Sequence, residues 1–321
     1  MLEIINFEDA PTTRAAYYGG NAGAKECILF DDAVWMVKYP KTTRDLINPQ
    51  ISYTTSPLSE YLGSKVYEIL NIPVHETLLG VRKNKIVVAC RDFTLKKTQN
   101  MFVEIGRLIP FHDLKNSFMS SDLDLYSGTG SETLLGEVLD TINGQDELKS
   151  IKGVMERFWD MFVVDAFIGN NDRNNGNWGF MMALAEEKLT LAPVYDNGNA
   201  FFNKRSLEQM QKRTQEKHLL EDDAFGSLTC VYKYTGLDNE GHSIRPFPFI
   251  RETADENCKN AVLRFLRSID MDKVKNLISS IPESTGTLAI MPEVQKIFYM
   301  ELMSVRLAQF EQYAEKWMTP K

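Results

Sequence analysis

The feature that most limits what this chain can fold into is an apolar-striped helix that runs straight into a loop almost without apolar residues. Over residues 151–168, Phe158, Trp159, Phe162, Val163, Ala166 and Phe167 recur at helical spacing, which predicts a buried helix. The chain then enters Gly169-Asn170-Asn171-Asp172-Arg173-Asn174-Asn175-Gly176-Asn177. Two apolar runs follow, 178–184 and 189–196, split by a turn at 185–188, and they predict a hairpin. A hairpin returns the chain to its origin, so Asp196 is expected to finish near Asn177, beside Asp172.

Two carboxylates and an amide oxygen in one place suit phosphoryl transfer. Mg²⁺ takes hard oxygen ligands together with phosphate oxygens and water. A separate carboxylate must orient the attacking hydroxyl and accept its proton. Protein kinases meet both needs with an Asp, an Asn five residues later, and a metal-binding Asp after a short hairpin. Asp172, Asn177 and Asp196 have this order and spacing, and Asp196-Asn197-Gly198 stands where kinases carry D-F-G. Each residue alone is more simply a turn residue; the combination points to chemistry.

The N-terminal part supplies the remaining elements of such a site in the right order. A glycine-rich turn (Gly19, Gly20, Gly23) is expected to bring backbone N–H groups to phosphates. The run 34–38 reads as a strand that ends on Lys38, stopped by Pro40. Residues 58–70 read as a helix that carries Glu60, the expected ion-pair partner of Lys38. Strands at 74–81 and 85–93, joined by Arg82-Lys83-Asn84, complete a β-β-α-β-β pattern, with residues 89–93 as the hinge facing adenine. The rest reads as mostly helical, with a polar, exposed helix over 203–223 and amphipathic helices over 259–281 and 292–318. The expected fold class is α+β and bilobal. A small β-rich lobe (1–93) precedes a larger helical lobe (94–321), with the ligand in the cleft between.

Composition removes other readings. The chain of 321 residues carries 36 Lys+Arg against 44 Asp+Glu, a formal charge of −8, so bulk electrostatics give no footprint for nucleic acid. No apolar run approaches a membrane span, and residues 1–13 do not form a secretory signal. Cys27, Cys90, Cys230 and Cys258 form no CxxC and read as reduced, mostly buried thiols. Neither the cysteines nor His75, His112, His218 and His242 have zinc-site spacing; His75 and His112 read as structural.

The strings GNNDRNNGNWGF (169–180) and APVYDNG (192–198), with VWMVKYP (34–40), SEYLGSKVYEILNIPVHETLLG (59–80) and VVACRDF (87–93), resemble the HipA-like kinase family, in particular its shorter members. The resemblance covers roughly residues 15–200. It implies a protein-kinase-like fold and ATP- and Mg²⁺-dependent phosphorylation of Ser/Thr on a protein substrate, autophosphorylation included. By the same resemblance Asp172 is the catalytic base, Asn177 and Asp196 bind Mg²⁺, Lys38 contacts the ATP phosphates, and Cys90-Arg91-Asp92-Phe93 form the hinge. The family's usual D-R-H stands here as Asp172-Arg173-Asn174, which alters the support of the loop. The extra N-terminal segment of full-length family toxins is not apparent, so an antitoxin partner is not expected. A cytoplasmic location is expected, with non-classical export or delivery to a host cell left open. Two alternatives remain at this point: a phosphoinositide-type lipid kinase, and an ATP-binding pseudokinase or toxin-like module.

Overall fold

The computed structural model describes residues 1–14, 25–46, 49, 51–99, 101–119, 133–235 and 241–318. Gly19, Gly20 and Gly23 lie outside the described residues. The chain divides into two compact units: 1–105 with 193–220 and 270–302, and 106–192 with 221–269 and 303–321.

The first unit is built on a five-stranded sheet. Its strands are β1 (Ile5–Asn6), β2 (Lys25–Phe30), β3 (Ala33–Lys38), β4 (Thr77–Arg82) and β5 (Lys85–Arg91), in the order β1-β4-β5-β3-β2. Only the β1–β4 pair is parallel. The β2–β3 and β4–β5 hairpins turn on Asp31-Asp32 and Lys83-Asn84, each residue with φ between 46° and 57°. Two successive left-handed residues match the right-handed twist of the flanking strands, and Asp and Asn tolerate that conformation better than most side chains. Phe7, Ile28, Trp35, Val37, Val87 and Ala89 form the core of the sheet.

Helix α1 (Ser56–Ile69) fills the long connection between β3 and β4, with a proline in its first turn. It buries Leu58, Tyr61, Leu62, Val66 and Tyr67 and contacts both β4 and β5. It also buries Glu60 and Ser64, polar groups that a packing helix hides at low cost only when their bonds are met elsewhere, as they are here by Lys38, His75 and Asn197. Past β5, a small hairpin (Leu95–Thr98 with Met101–Glu104) extends the unit.

The second unit packs around helix Val154–Ile168, which is buried along most of its length. Phe158 and Phe162 lie against Tyr232, and Phe167 against Phe265, which in turn meets Phe310. A three-stranded antiparallel sheet sits beside it, in the order Lys188–Leu191, Gly179–Ala183, Gly106–Pro110. The hairpin is shorter than the sequence suggests, since it ends at Leu191 and the chain beyond it has only an isolated bridge from Val194 to Val74. The strand Gly106–Pro110 was not expected; its partner, not its own pattern, makes it a strand.

The expectation of an exposed polar helix over 203–223 is corrected. Two short helices, Leu207–Gln215 and Lys217–Glu221, run into a π-helical turn at Asp222–Gly226, and Met210, Leu220 and Asp223 are buried. The expected segment over 259–281 is two helices, Glu256–Ser268 and Met271–Ser280, broken at Ile269 and capped by Asp255 and Asp270. The last helix runs Glu293–Met318. All four cysteines are free; Cys90 and Cys258 are buried, whereas Cys27 and Cys230 are only partly so.

Candidate active site

In the first unit, β3 delivers Lys38 at its end, and α1 delivers Glu60 from its second turn. Lys38 Nζ lies 2.8 Å from Glu60 Oε2 and 2.9 Å from Asp196 Oδ1. The expected Lys38–Glu60 partnership is therefore present, and Asp196 joins it. Burial alone would raise the Glu60 carboxyl, but the Lys38 charge and the His75 hydrogen bond outweigh it and hold the group well below the usual carboxylate range. Burial likewise opposes the charge on Lys38, and Asp196 and Glu60 together push its pKa well above the ordinary value. The pair is ionised on both sides.

Asp196 has φ 62°, a left-handed conformation that Asp adopts more readily than most residues. It turns the chain so that the next N–H, from Asn197, donates to Glu60 Oε1 at 3.0 Å. Asn197 Nδ2 donates to Ser64 Oγ at 3.1 Å, further along α1. The Asp-Asn-Gly turn is thus tied to α1 by three hydrogen bonds or ion pairs, counting the one through Lys38. Glu60 Oε1 has a second partner, His75 Nε2, at 3.0 Å. His75, expected to be structural, has its ring on the carboxylate. Glu60, His75 and Cys90 have ligand atoms within 4.8 Å of one another, but the Lys38 ammonium already supplies the cation for that carboxylate. Burial pushes the Cys90 thiol up, so it stays protonated there.

Lys25 pairs directly with Lys38 across β2 and β3, so both side chains rise from the same face of the sheet. Burial and the neighbouring Lys38 charge push Lys25 below its ordinary pKa. Two ammonium groups facing one way favour a polyanion between them. The sequence reading missed Lys25, although its position just after the glycine-rich turn was a signal.

The expected hinge lies at the end of β5. Cys90 is buried opposite Met36 and Thr77. Arg91 pairs with Glu76 at 2.8 Å, and the Asp92 N–H donates to Val34 O at 2.9 Å. The Asp92 carboxylate accepts from Thr94 N–H and Oγ1, closing a turn. The ring of Phe93 lies 6.5 Å from that of Tyr195.

In the second unit, the loop 170–178 hangs from the end of helix Val154–Ile168. Gly169 caps that helix with φ 71°, donating its N–H to Asp165 O. A Cβ there would come 2.9 Å from Arg306 Nη1. Arg306 is fully buried and donates to Phe167 O, Ala224 O and Asp223 O, so it closes the helix end that a longer residue at 169 would disturb.

Asp165, in the last turn of the helix, organises the loop. It accepts from Arg173 Nε at 2.8 Å and Nη2 at 3.1 Å, and from Asn170 Nδ2 at 3.1 Å. This two-pronged geometry suits the planar guanidinium. Arg173 Nη1 reaches on to Asn177 O at 2.9 Å. Asn177 Nδ2 donates to Asp172 O at 2.6 Å. Asn174, at the position where a histidine was expected, donates from Nδ2 to Asp172 Oδ1 at 3.0 Å and accepts from Gly176 N–H. The residue at the departure in sequence thus puts a donor on the Asp172 carboxylate. Asp165 was not among the residues singled out from the sequence, whereas Asn174 was, as the departure from the family's D-R-H.

The base of the hairpin closes on this loop, with the Ala192 N–H donating to Gly179 O at 3.1 Å. The amide oxygen of Asn177 and the carboxylate of Asp196 are hard oxygen donors of the kind Mg²⁺ prefers, and the Asp196 side chain is 43% exposed. By donor chemistry each of these side chains, taken by itself, is of a kind that suits a magnesium ion. Among the described residues no helix is long and apolar enough to cross a membrane.

Comparison with known proteins bears on the same residues. The pattern of the HipA-like C-terminal domain matches residues 21–262. Serine/threonine-protein kinase CtkA of Helicobacter pylori is 31% identical over 305 residues, 95% of this chain and 86% of that protein. The crystal structure of the Helicobacter pylori proinflammatory kinase CtkA superposes with a TM-score of 0.83 at 29% identity, covering 99% of this chain and 100% of that one.

Proposed function

This chain belongs to the HipA-like C-terminal domain family, and from that premise we propose that it is an ATP-dependent protein kinase acting on Ser/Thr side chains. The observation that carries the reading is the ionised Lys38–Glu60 pair with Asp196 on the same ammonium, in a relative of a serine/threonine kinase. The coarser part follows from kinship: a kinase uses ATP and, as a rule, a divalent metal.

Asp172 is proposed as the general base. Its carboxylate is steadied by Asn174, and its loop is fixed by the Asp165–Arg173 pair, so it orients a substrate hydroxyl and accepts its proton. Lys38 is proposed to hold the ATP phosphates, with Glu60 fixing its direction and Lys25 adding a second positive charge. Gly19, Gly20 and Gly23 are proposed to offer backbone N–H groups to the phosphates, and Cys90-Arg91-Asp92-Phe93 to border the adenine. Asn177 and Asp196 are proposed as ligands of Mg²⁺, which when bound would neutralise phosphate charge. Positioning and fixed charge supply most of the rate in such sites.

A protein substrate is favoured over a lipid. The formal charge of −8 and the lack of a polybasic run give an anionic membrane little to attract. Incubation with γ-labelled ATP, Mg²⁺ and either a protein substrate or phosphoinositide vesicles separates the two. Label on protein alone supports the reading; label on lipid alone overturns it.

A further inference from the structure

The side of Glu60 that faces away from Lys38 is closed by two donors. His75 Nε2 lies 3.0 Å from Oε1, and the two side chains are only 3% and 1% exposed. The Asn197 N–H meets the same oxygen at 3.0 Å. His75 is itself fixed: its backbone N–H donates to Val194 O at 2.9 Å, and its neighbour Val74 bridges to Val194. One histidine, set between α1 and β4, therefore touches the carboxylate of α1 through its ring and the approach to Asp196 through its backbone.

We infer that His75 is a positioning residue for phosphoryl transfer: by anchoring Glu60 Oε1 it leaves Oε2 aimed at Lys38 and keeps the Asp196 turn docked on α1. This rests on the kinase reading of the Lys38–Glu60 pair. A glutamate side chain has three rotatable bonds, and with the imidazole gone Oε1 would keep one donor, the Asn197 N–H, and hold its direction less tightly. With Oε1 held by two donors, a single orientation satisfies His75, Asn197 and Lys38 together. Loss of the imidazole removes a bond to a buried charge, which is a larger loss than that of a neutral hydrogen bond. Lys38 and Asp196 would then lose their common alignment.

The test compares the full chain with His75→Leu, His75→Gln, His75→Asn and Glu60→Gln. Leu keeps bulk without a donor, Gln restores an N–H near the Nε2 position, and Asn is polar but too short to reach. Phosphate transfer from γ-labelled ATP gives kcat and KM, titration gives Mg·ADP affinity, and thermal unfolding checks the fold. His75→Leu and His75→Asn are expected to lose roughly tenfold or more in kcat/KM and to bind Mg·ADP more weakly, with His75→Gln within about threefold of wild type. Wild-type transfer and binding in His75→Leu would overturn the inference, as would His75→Gln being impaired as much as His75→Leu. Should His75→Leu fail to fold, the contrast of Gln with Asn decides in the same way. Should the wild type transfer no phosphate, the kinase reading falls, and Mg·ADP affinity across the same variants still decides the role of His75.

Discussion

Lys38 and Glu60 stand 22 residues apart in the chain and 2.8 Å apart in the structure, as an ionised pair with Glu60 fully buried. A buried carboxylate of this kind is tolerable only because each oxygen is met. Oε2 meets Lys38, and Oε1 meets His75 and the Asn197 N–H. The pair ties the end of β3 to α1, and through Asp196 it ties both to the Asp-Asn-Gly turn.

Removing the ammonium with Lys38→Met is expected to destabilise the protein at neutral pH by about 3 kcal/mol, because a buried charge loses its partner. The pH dependence has a definite sign. In the wild type the folded pKa of Glu60 is held below 4.5, so its stabilising contribution is present above that value and fades as pH falls toward the folded value. In the variant, burial dominates and favours the protonated carboxyl. The stability difference between the two proteins should therefore shrink as pH drops below 4.5. Urea unfolding at several pH values measures this; a difference that grows toward acid would contradict it.

Glu26 on β2 forms a second charged cluster with Arg82, Lys83 and Tyr39. Burial opposes its ionisation, but hydrogen bonds from these three groups prevail and hold the carboxyl near a pKa of about 2 against an ordinary 4.5. Its contribution is thus present above 4.5 and lost as pH falls toward 2. Glu26→Gln is expected to cost about 1–2 kcal/mol at neutral pH and almost nothing at the acid end of that window. Acid titration of stability for the two proteins checks this.

The pair of Asp165 with Arg173, both nearly fully buried, anchors the loop that carries Asp172 to the end of the helix. Asp165→Asn leaves an uncompensated guanidinium and is expected to cost about 3 kcal/mol or more. Arg173 also anchors Asn177 O, so transfer should fall by more than the unfolded fraction explains, while Mg·ADP affinity changes less. Parallel measurement of kcat and nucleotide affinity at a temperature where the variant is folded tests this; unchanged kcat would show that the pair does not position the loop.

Helices and hairpins were legible where local pattern decides them. Helix 151–168 and its polar loop, the turn at Arg82-Lys83-Asn84, and α1 all follow from spacing and turn chemistry. The Lys38–Glu60 pair was legible because strand-end lysine and helix glutamate occur in a known order. Other contacts were not. His75 is a lone histidine between two elements, and nothing in its neighbours shows that α1 presents Glu60 to it. Asp165 sits inside an apolar stripe, where a carboxylate looks like an exception until Arg173 folds back onto it. The strand Gly106–Pro110 exists because Gly179–Ala183 lies alongside. In each case the cause is a partner distant in sequence, which periodicity does not report.

The most direct test of the kinase reading is transfer of label from γ-labelled ATP with Mg²⁺, in wild type and in Asp172→Asn, each alone and with a protein substrate. Loss of a general base typically costs about 10²–10⁴ in rate. The prediction is label incorporated by the wild type, a loss of that size in Asp172→Asn, and Mg·ATP affinity retained in the variant. Near-wild-type turnover by Asp172→Asn, or no transfer by a folded wild type that binds Mg·ATP, would contradict the account.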